Sequence, residues 1–297
     1  MNRRLMELGF VLMGAAAGCS TPAVVSKSLG KIEIHGHRGA RAVAPENTLP
    51  AFDEALRAGV EVLEMDLGVT RDGVLVIYHD QKINPVICRA GRGATRPVPI
   101  HGLTLRQLKI YDCGALRNPR FPRQVPVPGT RIPTLDEFFE WVKASPIPGA
   151  SSVRFNIEMK SEEAHPELAP DPAEFARLLV DTLKRQGMLS RTIIQSFDLR
   201  TLREARKLAP DAILSALIEF RPEESLVELA RKAGGAQVLS PNHEWLTRED
   251  VDAAHAVGIQ VVPWTANSVS DWDRLAAIGV DAIITDDPRA ALEWRRR

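Results

Sequence analysis

Five short stretches of the chain set ionisable residues beside one another at strand-like spacing. They are His35-Gly36-His37-Arg38-Gly39, Glu64-Met65-Asp66, Tyr78-His79-Asp80, Asn156-Ile157-Glu158-Met159-Lys160 and Thr285-Asp286-Asp287-Pro288. Side chains on a strand alternate faces with a period of two, so Glu64 and Asp66 share one face, as do Glu158 and Lys160. Two carboxylates crowded on one buried face need a counter-charge. A hard divalent cation, Mg²⁺ or Ca²⁺, supplies it through carboxylate oxygens.

The dipeptide Asp72-Gly73 is a strong hairpin signal between Leu67-Gly68-Val69-Thr70 and Val74-Leu75-Val76-Ile77. A two-residue turn predicts a register in which His79 stands opposite Asp66. A slip of one or two steps still leaves the imidazole beside the acids. An imidazole, an acid pair and the Arg-bearing first turn therefore converge on one place.

The elements that must position these groups follow from the hydrophobic pattern. Strand-like runs near 32–36, 61–67, 154–159, 192–196, 213–217, 237–240, 260–264 and 281–285 alternate with amphipathic stretches. Among the latter are Thr48 to Ala58, Pro172 to Gln186, Asp198 to Leu208, Pro222 to Ala233, Thr247 to Val257 and Ser270 to Ile278. Repeated β then α over one domain predicts an α/β fold of the (β/α)₈ TIM barrel type. The strand at 74–78 is an extra hairpin strand outside the eight. The Pro-, Arg- and Gly-rich stretch of about 81–131 breaks the rhythm, with one short helix near Leu103 to Tyr111. Leaving the barrel just after His79, it reads as a lid over the substrate or as a solvated insertion.

The chain resembles the glycerophosphodiester phosphodiesterases, which combine a His-Arg-Gly start, a Pro-Glu-Asn-Thr turn, a Glu-x-Asp pair and a later His-Asp. Here these are His37-Arg38-Gly39, Pro45-Glu46-Asn47-Thr48, Glu64-Met65-Asp66 and His79-Asp80. The resemblance runs from about Ile32 to Pro288, with Ser196-Phe197-Asp198, Val262-Pro263-Trp264-Thr265 and Thr285-Asp286 as the remaining strand ends. It implies metal-dependent hydrolysis of a small glycerophosphodiester to sn-glycerol 3-phosphate and an alcohol. Glu64, Asp66 and Glu158 are the expected ligands of one divalent cation; the alternative is that the acids pair with Arg38 or Lys160 and no metal binds.

His37 and His79 are the acid/base candidates, because one proton must leave a nucleophile and another must reach the departing alkoxide. Arg38 and Lys160 are expected on phosphate oxygens, where Arg suits a bidentate grip. Glu46 reads as an orienter of Arg38, although Asn47 or Thr48 beside it also reads as a helix cap. Trp264 is read as packing against the glycerol or as an ordinary core residue. Asp286 reads first as part of a helix start before Pro288, and second as a support for Arg38 or His37. His35 shares the face of His37 and is expected deeper in the barrel. His101, His165 and His255 read as surface or packing residues, and His243, near the sixth strand's end, as a weak exception.

With 297 residues, 44% apolar, and equal counts of acidic and basic side chains, the chain suits one large globular domain. Net neutrality gives no reason to expect nucleic acid. The start, Met1-Asn2-Arg3-Arg4 followed by the mostly apolar run Leu5 to Ala17 and Gly18-Cys19, reads as an export signal over 1–18. It also resembles the lipobox of bacterial lipoproteins, with lipidation at Cys19, a linker over 19–30 and a catalytic domain over 31–294. Glu7 interrupts the apolar run, and Ala16 stands where Leu is commoner. The expected location is periplasmic or cell envelope, with membrane contact by the lipid anchor alone. Cys88 and Cys113 then remain, either as a disulfide in an oxidising compartment or as two unpaired thiols. Other readings are a lysophospholipase D or phospholipase C relative on the same barrel, and a binding protein on an inactive one. Loss of either His would favour the last; neither is lost. Oligomeric state is not legible in the sequence.

Overall fold

The structure, a computed structural model, describes residues 32–91 and 97–297. The expected signal, linker and lipidation site at Cys19 lie outside the described residues.

The chain alternates strand and helix around a barrel. Strand β1 (Glu33–Gly36) leads to helix α1 (Leu49–Ala58), and β2 (Val62–Val69) turns back into β3 (Leu75–Ile77). After the insertion, with its single-turn helix α2 (Leu105–Leu108), come α3 (Leu135–Ala144), β4 (Arg154–Met159) and α4 (Pro172–Gln186). Then follow β5 (Thr192–Ser196), α5 (Leu199–Leu208), β6 (Ile213–Ile218), α6 (Leu226–Lys232) and β7 (Val238–Pro241). The last elements are α7 (Arg248–Ala256), β8 (Gln260–Val261), α8 (Val269–Ile278), β9 (Ala282–Thr285) and α9 (Pro288–Arg295). No helix among the described residues is long and apolar enough to cross a membrane.

Eight of the strands pair in parallel in the order β8-β7-β6-β5-β4-β2-β1-β9, with β3 antiparallel on β2. Three backbone bonds draw the ends together: Asp281 N–H to Val261 O (2.9 Å), Ile284 N–H to Pro263 O (3.0 Å) and Ala266 N–H to Ile284 O (3.1 Å). The fold is thus the expected (β/α)₈ barrel with an extra hairpin strand. Strand β8 is shorter than the sequence suggests because Pro263 has no N–H to extend a ladder. Helix α6 starts at Leu226 rather than near Pro222, since Ser225 caps it by accepting from Glu228 N–H at 3.2 Å.

The hairpin register differs by one step from the two-residue reading. Leu67 pairs with Ile77, Gly68 with Val76 and Val69 with Leu75. Thr70 N–H donates to Val74 O, and Gly73, at φ 77°, occupies the left-handed position of a three-residue loop. Tyr78, not His79, therefore faces Asp66 across the ladder, its N–H donating to Asp66 O at 2.9 Å. The step leaves His79 within reach of the acids, just beyond the strand.

The insertion folds as a satellite with its own small core. Ile83, Ile87, Ile100, Leu108 and Tyr111 are buried together against Val76 and Tyr78 of the hairpin. A disulfide joins Cys88 and Cys113, 25 residues apart, inside that core.

Candidate active site

Most of the candidate side chains sit in the later part of a barrel strand or in the loop just after it, where a barrel gathers residues that are far apart in the chain. After β1 the chain turns sharply: Arg38 (φ 51°) and Gly39 (φ 83°) are both left-handed. A side chain on Gly39 would lie 2.6 Å from the backbone of Ala51 in α1, so only glycine fits the close approach. The turn directs the Arg38 N–H at Glu64 Oε2, 2.8 Å away.

Glu64 and Asp66 on β2 and Glu158 on β4 point into the barrel mouth, with Asp66 registered directly against Glu158. One oxygen from each lies within 4.8 Å of the others, and all three residues are buried. At that spacing, unit charges repel by about 3 kcal/mol per pair at an effective dielectric of ~20. Two cations answer three anions. Arg38 Nε lies 3.2 Å from Asp66 Oδ2, and Lys160 Nζ lies 2.9 Å from Glu158 Oε1. Neutral donors serve Glu64: Gln195 Nε2 donates to its Oε1 at 2.9 Å, and Asn156 Nδ2 steadies Gln195 Oε1 at 3.0 Å.

The remaining strain appears as protonation. Burial and the Asp66 charge hold the Glu64 carboxyl well above the usual carboxylate range. Burial, opposed by Lys160 and assisted by Asp66, pushes Glu158 up to about 7. Asp66 resists the same burial because Arg38 holds it low. A buried all-oxygen set that lacks one positive charge fits a hard divalent cation.

Two imidazoles flank this cluster, each tied by Nδ1 to its own carboxylate. His37 Nδ1 lies 2.7 Å from Asp286 Oδ1, and His79 Nδ1 lies 2.6 Å from Asp80 Oδ1. An ionised carboxylate only accepts, so the ring proton sits on Nδ1 in each case and Nε2 is left to accept. His37 Nε2 is 3.9 Å from Glu64 Oε2; His79 Nε2 is 3.3 Å from Lys160 Nζ. Burial first, and then Arg41, pushes His37 down to about 4, while burial lowers His79 against the pull of Asp66.

The supports beneath these groups were only partly legible in the sequence. Glu46 Oε1 accepts from Arg38 Nη1 at 2.6 Å, which is the orienting role expected of it. Asn47, held at φ 56°, reaches Asp66 Oδ2 with its Nδ2 at 2.8 Å and is no helix cap. Asp286 is a site residue: Arg41 Nε and Nη2 contact it at 2.5 and 3.2 Å, and Asn267 Nδ2 at 2.8 Å. The capping role at that helix belongs to Asp287, whose side chain accepts from Ala290 N–H. Arg41, Gln195 and Asn267 stand in no recognisable spacing, and only the fold brings them in.

The cavity over the cluster has a volume of about 460 Å³ and is also lined by Phe197, Leu217, Glu219 and Trp264. Trp264 packs edge-on against Phe197 at 5.5 Å and donates from Nε1 to Ser240 O, so it belongs to the cavity wall. His35 lies buried under the site with its Nδ1 unbonded, and is pushed down to about 3 by burial. His243 is away from the cavity, bonded to Arg274. No described residue of 81–131 lines the cavity. Part of the insertion's apolar surface goes into the satellite core, while Val86, Ile110, Val125 and Val127 stay exposed.

A family model described as the glycerophosphoryl diester phosphodiesterase family matches residues 37–290. A glycerophosphodiester phosphodiesterase from Caldanaerobacter subterraneus is 31% identical over 267 residues, covering 90% of this chain and 99% of that protein. A solved structure from Silicibacter pomeroyi under the same family name has a TM-score of 0.82 and 32% identity, covering 89% of this chain and 93% of that one. An Oleispira antarctica phosphodiesterase, solved in complex with its product sn-glycerol-3-phosphate, shares the fold at a TM-score of 0.73 and 24% identity, over 89% and 97% of the two chains.

Proposed function

The chain belongs to the glycerophosphoryl diester phosphodiesterase family, a phosphoric diester hydrolase by class, and we propose that it cleaves glycerophosphodiesters to sn-glycerol 3-phosphate and an alcohol through His37 and His79. One observation carries this reading. Two imidazoles, each oriented by a carboxylate at 2.7 or 2.6 Å, flank three buried carboxylates at the mouth of one cavity.

Glu64, Asp66 and Glu158 would hold a divalent cation, Mg²⁺ or Ca²⁺, whose charge would polarise a phosphoryl oxygen and offset the three acids. His37, neutral at physiological pH because burial holds it near 4, accepts the proton of the attacking oxygen at Nε2. Asp286 keeps its proton on Nδ1 and steadies the imidazolium that forms. On the other flank, Lys160 Nζ lies 3.3 Å from His79 Nε2; a proton taken up at that Nε2 would be the one given to the departing alkoxide, with Asp80 steadying the imidazolium at Nδ1. Arg38 is placed for the phosphate: its Nε is buried without a hydrogen-bond partner, although Asp66 lies near it off the bonding direction. Together these groups stabilise the charge that builds as phosphorus becomes five-coordinate.

The deciding experiment measures sn-glycerol 3-phosphate released from several glycerophosphodiesters with Mg²⁺, with Ca²⁺ and with chelator. Release that depends on metal supports the reading; no release from any diester overturns it. Export and a lipid anchor at Cys19 form part of the same proposal. They are supported by the basic and then apolar start before Gly18-Cys19, and by a disulfide of the kind that persists in an oxidising compartment.

A further inference from the structure

Among its described residues the insertion does not line the cavity, yet its far end is built into the loop that carries Arg38, Arg41 and Glu46. Gln124 is 4% exposed and every polar atom of its side chain is used. Its Nε2 donates to Arg41 O and to Ala44 O, both at 3.0 Å, and its Oε1 accepts from Asn118 N–H at 2.9 Å. Next to it, Val125 N–H donates to Val43 O at 2.9 Å, so this arm of the insertion runs bonded along residues 41–44. The guanidinium of Arg41 lies 4.8 Å over the ring of Phe121 while its nitrogens grip Asp286. One residue of that arm, Asn118, also reaches Glu46 Oε2 at 3.4 Å, on the carboxylate that holds Arg38.

We propose that Gln124 is a positioning residue for diester hydrolysis: by holding the Arg41 and Ala44 carbonyls it aims Arg41 at Asp286, and through Asp286 sets the His37 ring. The insertion is in this sense a clamp on the outside of the site, stapled by Cys88–Cys113. The physical reason is geometric. Residues 41–44 form a turn without the ladder bonds of a strand, and two of its carbonyls find their donor in one buried amide. Removing that donor leaves both carbonyls unpaired or wetted, and the turn then relaxes. A displacement of about 1 Å at a base costs on the order of 10²-fold in rate.

This inference rests on the hydrolysis reading, so its test includes a signal that does not need turnover. Gln124→Met keeps the volume and loses all three bonds; Gln124→Glu keeps the acceptor toward Asn118 and loses both donations. Each is expected to lower kcat at least ~10-fold with KM within about threefold of wild type. In an Arg41→Met background the Gln124→Met substitution is expected to add little further loss, because both act on Asp286. The low-field proton of His37 Nδ1–H in NMR is expected to shift or broaden in Gln124→Met, even if no diester proves to be a substrate. Should Gln124→Met fail to fold, Phe121→Leu, at a half-buried position, reads the same coupling through Arg41. Wild-type kcat in Gln124→Met with an unmoved His37 proton, or losses that multiply fully with Arg41→Met, would overturn the proposal.

Discussion

His37 Nδ1 and Asp286 Oδ1 lie 2.7 Å apart across 249 positions of sequence, joined by the parallel pairing of β1 with β9. Gly36 is registered on Thr285, so the residues that follow each strand leave the barrel side by side. Asp286 is itself kept ionised by His37 and Arg41, well below the usual carboxylate range despite its burial.

Replacing that carboxylate by an amide is therefore expected to change which ring nitrogen carries the proton. Asp286→Asn should lower kcat by ~10²-fold or more with a smaller change in KM, since Asp286 does not itself line the cavity and acts through His37 and Arg41. His37→Ala and His79→Ala should each cost at least ~10²-fold. Steady-state kinetics with circular dichroism as the check on folding decides it; near-normal kcat in Asp286→Asn would reduce the contact to packing.

Metal dependence carries a thermodynamic signature as well as a kinetic one. Ala at Asp66 or Glu158 is expected to abolish turnover, and chelator to do the same to the wild type. Without metal, Glu158 binds its proton more tightly folded than unfolded, its value rising from 4.5 to about 7. Its contribution to stability is thus greatest below pH 4.5 and is lost as the pH rises toward 7. The wild-type stability minus that of Glu158→Gln should fall across that window in chelator. Adding Mg²⁺ or Ca²⁺ at pH 8 should restore it, by about 2.7 kcal/mol at a hundredfold excess over Kd. A Tm that ignores metal in both proteins would remove the cation from the site.

The disulfide stands in the satellite core rather than over the cavity, so its loss is expected to be felt locally. For a loop of 25 residues the chain-entropy account gives roughly 3 kcal/mol, and measured values are often smaller. Cys88→Ser should speed limited proteolysis within 81–131 and leave KM near the wild-type value. Unchanged cleavage rates in that segment would show the staple to be dispensable.

At the amino terminus, the expected mature protein begins at a lipidated Cys19 and partitions with membranes. Mass spectrometry of the purified N-terminal peptide, with fractionation of a Cys19→Ser variant, is the check. A soluble periplasmic protein starting beyond Cys19 would leave export standing and remove the anchor.

The parts legible in the sequence were those whose physics is local. Period-two spacing put Glu64 with Asp66 and Glu158 with Lys160, and alternating β and α patterns named the barrel, because strand faces and helix faces are properties of a few neighbouring residues. The motifs from His37 to Asp80 named the family for the same reason: each is short and contiguous. Tertiary structure decided whatever depends on distance. The hairpin slipped one step because a three-residue loop with Gly73 in the left-handed region satisfies the backbone as well as a two-residue turn does, and a dipeptide cannot distinguish them. Asp286 and Asp287 read alike as a helix start; only the registration of β9 on β1 gives the first to His37 and the second to the cap. The insertion's residues carry no period at all. Whether they cover the cavity or brace it from behind depends on where Gln124 finds carbonyls to bond, and those belong to a turn some 80 residues earlier in the chain.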